Sequence, residues 1–248
     1  MASETDSRRT RDEFYRAPDA EVGPFEFSEA VVRVFPDMIE RSVPGYGLLL
    51  EHTPLLVRNA VQPDSYVYDL GCSLGAATLA ARRAIPLDDV RIIAVDCSSS
   101  MVQRCRSIVA ADNSRVPVDV IEADISSQEI QQASVVMLYF TLQFVAKEQR
   151  DALIQRIYDG LLPDGILILA EKLQFEPEHQ QWLDHHHHDF KRAQGYSDLE
   201  IARKRQALEN VLVPESITEH RNRLQNAGFR QVVPWFQSFN FAALTAIK

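Results

Sequence analysis

The segment Val67-Tyr68-Asp69-Leu70-Gly71-Cys72-Ser73-Leu74-Gly75-Ala76 constrains this chain more than any other. It reads as a buried strand that breaks into a glycine turn and opens a helix of small residues. Apolar Val67 and Leu70 suit a central strand, while Gly71 and Gly75 let backbone amides approach a ligand and let the helix Ala76 to Ile85 pack closely. A second strand, Val90 to Asp96, ends in a carboxylate about two dozen residues after the glycines, where it can accept both hydroxyls of a ribose. The pattern implies an adenosine-bearing cofactor.

Three other readings of the turn compete. A dinucleotide fingerprint G-x-G-x-x-G requires glycine where Ser73 and Ala76 stand, so NAD is disfavoured. Gly71-Cys72-Ser73-Leu74-Gly75 also fits the G-x-S-x-G elbow of serine hydrolases. That elbow normally follows several strands, and residues 1 to 65 contain no convincing strand. A turn that merely packs a helix on a sheet would not need Asp69 and Asp96 at two strand ends. What remains is Asp69-Leu70-Gly71-x-x-x-Gly75, the pattern of the S-adenosylmethionine-binding Rossmann-like fold.

The 248 residues, 46% apolar and 25% charged, can bury one large α/β domain. Residues 1–26 are polar and read as a flexible segment, and 27–248 as a single domain with a helical insertion over 174–228. No apolar run reaches the ~18 residues of a membrane span, and the N-terminus has no signal-peptide stretch. Cys72, Cys97 and Cys105 are an odd set that suits a reducing compartment, so a cytoplasmic protein is expected. A net charge of −9 without a basic, aromatic-interleaved stretch argues against direct nucleic-acid binding and for a small substrate.

Phe27 to Leu56 reads as helical, interrupted by Pro36 and Pro44, and Tyr46 in it is either a core residue or a cofactor contact. Ser98 to Ser100 offer an N-cap for Met101 to Ala110. Strands are expected at Val118–Glu122, Ser134–Phe140 and Ile166–Ala170, with a helix Lys147–Leu161 and a turn Pro163-Asp164-Gly165 between the last two. Asp124, just past the third strand, is placed either to meet an adenine amino group or to cap a turn. These alternating units imply a parallel sheet, closed by an antiparallel pair near Gln231–Pro234 and Phe239–Ile247.

In the insertion, a helix over Asp198–Leu212 carries an apolar stripe of Ile201, Leu208 and Leu212, with Arg205 on the same face. An arginine on a buried stripe needs an anion, either a structural carboxylate or a substrate's. His185 to His188 have no partner at metal-ligand spacing and read as a polar helix segment, with no metal expected.

The chain resembles the carboxy-S-adenosyl-L-methionine synthase family over nearly its whole length from Phe27. The resemblance rests on Val34-Phe35-Pro36-Asp37-Met38-Ile39, Arg41-Ser42-Val43-Pro44-Gly45-Tyr46, Tyr68 to Thr78, Phe140-Thr141-Leu142-Gln143-Phe144, Asp189-Phe190-Lys191-Arg192-Ala193 and Lys204-Arg205. It implies transfer of the carboxyl group of prephenate to the methyl carbon of S-adenosylmethionine, giving phenylpyruvate and carboxy-S-adenosylmethionine, the donor for wobble 5-oxyacetic acid uridine in tRNA. It implies that Tyr46, Gly71-Cys72-Ser73, Asp96, Cys97, Asp124, Ile125 and Tyr139 line the cofactor. It also implies that Arg205 grips the added carboxylate across a homodimer interface. The family usually has asparagine where Cys97 and Tyr139 stand, and neither side chain reproduces an amide's donor and acceptor pair. A methyltransferase acting on a small metabolite, or an inert cofactor-binding module, would share the same cofactor residues.

Overall fold

A computed structural model of the protein describes residues 10–16 and 23–248. The elements run α1 (Glu29–Glu40), α2 (Tyr46–Ala60), β1 (Tyr66–Leu70), α3 (Ala76–Ala84), β2 (Arg91–Asp96), α4 (Ser99–Ala111), β3 (Val118–Glu122) and β4 (Ala133–Tyr139). A 3-10 turn (Leu142–Phe144) leads to α5 (Lys147–Gly160) and β5 (Leu161–Lys172), and then α6 (Pro177–Ala193), α7 (Asp198–Leu208), α8 (Ile217–Ala227), β6 (Gln231–Ser238) and β7 (Phe241–Ile247).

The seven strands form one sheet in the order β3-β2-β1-β4-β5-β7-β6. β1 lies inside the sheet, parallel to β2 and β4, and its buried Val67, Tyr68 and Leu70 fit a strand covered on both faces. The expected terminal hairpin forms, and β7 pairs antiparallel with β5 as well as with β6. One face buries Leu138, Leu153, Ile157 and Phe229, and the other Val57, Ala81, Ile92 and Met137. At roughly 1.5–3 kcal/mol per buried large aliphatic side chain, this two-sided burial is what holds the sheet in place.

Three local expectations are corrected. Pro36 does not interrupt α1, which runs on to Glu40 because Val31, Val32, Val34 and Met38 pack on the core and offset the lost backbone hydrogen bond. The interruption expected at Pro44 does occur, over residues 41–45, and ends at Gly45, whose backbone is left-handed. The turn at Pro163–Gly165 lies inside β5 as an irregularity: Leu161 pairs with Ala133 and Ile166 with Val135, so the intervening residues loop out, with Asp164 at φ 63°. α7 stops at Leu208, four residues short of the expected Leu212.

Part of the segment expected to be flexible is docked. Asp12 is buried, its backbone N–H donates to Asp37 (2.7 Å), and its carboxylate accepts from Tyr196. Residues 1–9 and 17–22 of that segment lie outside the described residues.

Candidate active site

The glycine turn, Gly71 to Gly75, ends β1 and opens α3. Gly71 has φ 82°, and a Cβ there would lie 2.3 Å from Thr141 Oγ1, so glycine is required both by conformation and by close approach. Ser73, at φ 47°, also adopts the left-handed region. Its backbone N–H donates to Asp96 (2.9 Å), and the Ser98 N–H donates to the other oxygen of the same carboxylate (2.9 Å). Asp96 at the end of β2 therefore fixes the turn and the start of α4 together, leaving lone pairs on both oxygens for a ligand. Burial raises its pKa, opposed by those two amides.

Asp69, one residue before the turn's leucine, is fully buried and accepts from the Thr78 hydroxyl of α3. Burial pushes its carboxyl up to about 6, against that hydrogen bond. Tyr46 and Tyr139 face it, and their pKa values are raised first by burial and then by its charge. The Tyr139 hydroxyl is paired with Thr53 Oγ1 at 2.8 Å. Cys72 lies under the turn against Cys105, and its thiol pKa is raised by that hydrogen bond and by burial.

Two cavities meet at this turn. The smaller, of about 290 Å³, is lined by Tyr46, Asp69, Cys72, Ala76 and Tyr139. The larger, of about 440 Å³, begins at Ser73, Asp96, Cys97, Asp124 and Ile125. Gly71, Ser73, Tyr139, Phe35 and Ile39 line both. Asp124 is at once a wall residue and a turn former, since its carboxylate accepts the Ser126 N–H at 2.7 Å. Cys97 is exposed as a residue, yet its thiol pKa is raised, first by partial burial and then by the charges of Asp96 and Asp124. The fold thus gathers Tyr46, Gly71, Cys72, Ser73, Asp96, Cys97, Asp124, Ile125 and Tyr139 around one joined space.

Arg205 lines neither cavity and is exposed on α7, making no ion pair among the described residues. The buried arc of α7 lies to one side of the expected stripe. With about 100° per residue, the buried Glu200, Ile201, Lys204 and Ala207 centre on Lys204, and Arg205 falls beyond the edge. Its charge is nonetheless felt by Lys172 and His188, so it stands at the rim of the larger cavity.

The far end of that cavity holds residues to which the sequence assigned no role: Lys172 from β5, His187 and Lys191 from α6, and Lys204 from α7. Burial lowers the Lys172 pKa, brings Lys191 down to about 7, helped by its neighbours Lys204 and Lys172, and brings Lys204 to about 8. Lys204 donates to Ser42 Oγ (2.8 Å) and lies 3.9 Å from the Asp12 carboxylate. His187 is not the exposed polar residue expected of the histidine run. It is buried, with Nε2 2.8 Å from the Ser42 carbonyl, an acceptor only, so Nε2 carries the proton. Desolvation and the nearby lysines hold its pKa down to about 2, and the ring is neutral. Lys191 and Lys204 lie in the Asp189–Ala193 and Lys204-Arg205 motifs, Lys172 and His187 in none, and their convergence required the fold. No group of three His, Cys, Asp or Glu side chains among the described residues could hold a metal ion.

A central parallel sheet with an antiparallel last strand, a glycine cradle and an aspartate at the next strand's end define the Rossmann-like fold of S-adenosylmethionine-dependent methyltransferases. Residues 67–165 match the methyltransferase domain family. Human N-acetylserotonin methyltransferase, solved with S-adenosylmethionine, shares the fold at TM-score 0.57 and 17% identity, covering 89% of this chain and 56% of that one. Over 97% of this chain and 99% of the relative, the sequence is 55% identical to the carboxy-S-adenosyl-L-methionine synthase of Geobacter sp. strain M21. It is 54% identical to that of Trichlorobacter lovleyi, over 96% of this chain and 98% of the relative. The chain belongs to the carboxy-S-adenosyl-L-methionine synthase family of enzymes.

Proposed function

We propose that the protein converts S-adenosylmethionine and prephenate to carboxy-S-adenosylmethionine and phenylpyruvate. The observation that carries this reading is the continuity, through Gly71, Ser73 and Tyr139, between the adenosine cradle and an apolar chamber whose far end is cationic. A bound S-adenosylmethionine fits the cradle: Asp96 accepts from the ribose hydroxyls, Asp124 and Ile125 flank the adenine, and buried Asp69 meets the methionine ammonium. The chamber suits a small anionic ring compound. Phe27, Phe140, Phe144 and Phe241 supply apolar wall, and lysines supply charge.

The reaction balances without an added reagent. Prephenate loses its ring carboxylate as carbon dioxide and its ring hydroxyl as hydroxide, becoming phenylpyruvate. The hydroxide takes a proton from the methyl group beside the sulfonium, water leaves, and the methyl carbon bonds to the carbon of carbon dioxide. No side chain is required as the base, so the protein's share is positioning and charge stabilisation. A second copy of the chain supplies Arg205 to the new carboxylate. Its exposed fork without an ion pair among the described residues supports this, as do exposed Trp182 of α6 and Leu199 of α7. The product then serves a separate tRNA-modifying enzyme, in keeping with the net charge of −9 on this chain.

Incubation with S-adenosylmethionine and prephenate labelled in the ring carboxylate, followed by mass spectrometry of the nucleosides, tests the proposal. Label in carboxy-S-adenosylmethionine supports it. S-adenosylhomocysteine as the main product would assign methyl transfer instead, and bound but unchanged S-adenosylmethionine would assign an inert module.

A further inference from the structure

We infer that Lys172 and Lys191 anchor the carboxylate that the second substrate keeps, leaving its departing carboxylate to face the sulfonium. The inference rests on the carboxyl-transfer reading and assigns the residues that hold the acid.

The two lysines come from different elements, the end of β5 and the last turns of α6, yet both line the far end of the larger cavity. Among the described residues, neither side-chain ammonium makes a hydrogen bond or ion pair, although Lys191 is buried; the backbone N–H of Lys172 donates to Gln143 Oε1. A buried ammonium without a partner is costly, and an arriving anion relieves that cost. Lys204 is different, being held by Ser42 and Asp12, just as Arg41 is held by Asp37 at 2.9 Å. His187 is neutral, and His188 is pushed toward its neutral form by burial and by Lys191. The remaining acid nearby is Asp184, whose charge reaches Lys172 and Lys191 and whose carboxylate accepts from Gln180 (2.9 Å) and Asn240 (3.3 Å).

With both lysines protonated, as an arriving anion favours, two ammoniums against one carboxylate leave one surplus positive charge in the chamber. The sulfonium of S-adenosylmethionine adds a second, so the site is matched to a dianion. How the two carboxylates divide between the two charges follows from the chemistry. A carboxylate leaving as carbon dioxide loses its charge in the transition state, so an ammonium gripping it would stabilise the reactant and slow the step. The lysines accelerate turnover only by holding the carboxylate that persists. The departing one is then left in the apolar section, beside the methyl group that receives its carbon.

Lys191→Met and Lys172→Met test this in the full-length protein, with steady-state kinetics on prephenate, inhibition by phenylpyruvate and calorimetry of S-adenosylmethionine. The expected result is a KM for prephenate raised roughly 10- to 100-fold and phenylpyruvate inhibition weakened in the same proportion. kcat stays within a few-fold, and the S-adenosylmethionine Kd is unchanged, which also certifies folding. Lys172, half-buried at the strand end, is the safer variant should Lys191→Met fold poorly. Unchanged phenylpyruvate inhibition with a raised kcat would put the lysines on the departing carboxylate and overturn the inference, as would an unchanged KM. Lysine-dependent binding of phenylpyruvate by an enzyme that does not turn over prephenate would keep the anchor and reject the proposed reaction. Wild-type protein that binds neither acid would reject the anchor.

Discussion

Removing the Asp96 carboxylate separates the cofactor reading from a purely structural one. In Asp96→Ala, two backbone N–H groups, of Ser73 and Ser98, lose acceptors held at 2.9 Å. Bonds to a charged acceptor are worth roughly 1.5–3 kcal/mol each, but Asp96 is largely buried and its raised pKa shows that desolvation cancels part of this. Water can also reach both amides through the cavity, so the folded state should lose about 1–2 kcal/mol and survive. Binding is a separate loss. If the two outer lone pairs accept the ribose hydroxyls, the variant forfeits two charge-assisted hydrogen bonds and the preset turn, or roughly 2–3 kcal/mol, a rise in Kd of about 30- to 150-fold. Chemical denaturation gives the first quantity and isothermal calorimetry with S-adenosylmethionine the second. A folded variant with an unchanged Kd would remove Asp96 from the site, and with it the argument for adenosine.

Ser73→Ala should retain binding and turnover within a few-fold, because the interaction with Asp96 uses the Ser73 backbone; labelling of Ser73 by a fluorophosphonate probe together with ester hydrolysis would instead establish a nucleophile elbow. Arg205→Lys keeps a charge but loses the planar fork, so calorimetry should show carboxy-S-adenosylmethionine weakened by roughly 2–4 kcal/mol and S-adenosylmethionine far less; equal losses would make Arg205 structural. The pH dependence follows from Lys191 and Lys204, held at about 7 and about 8, below their ordinary value of 10.5. Between about pH 7 and 10 the unfolded chain binds more protons at these two positions than the folded chain does, so their burial penalty is complete below that window and relieved as pH rises through it. Lys191→Met should therefore be more stable than the wild type near pH 6.5, with the gap closing toward pH 10 in denaturant titrations, whereas a gap independent of pH would show that Lys191 stays charged. Affinity for prephenate should fall over the same rise in pH as the anchoring ammonium is lost.

The sequence by itself determined what depends on neighbours along the chain. Period-two and period-3.6 patterns located β1 to β5 and the helices between them, and Gly71, Gly75, Asp69 and Asp96 announced the cradle because strand, turn and helix N-terminus are contiguous there. Tertiary structure decided what depends on which faces meet. Pro36 sits inside α1 because core packing outweighs one missing hydrogen bond, a balance that local propensity does not contain. On α7, Lys204 and Arg205 are adjacent in sequence, and the apolar stripe of Ile201, Leu208 and Leu212 pointed to Arg205 as the buried cation. The arc that packs onto Ser42 and Asp12 turns Lys204 inward and leaves Arg205 at the rim. The cationic chamber was the least legible feature, since Lys172, His187, Lys191 and Lys204 come from three separate elements and only the fold brings them to one cavity. Solvation explains why: a lysine is written as surface in a sequence, and only enclosure by the folded chain strips its water and makes an incoming carboxylate its partner.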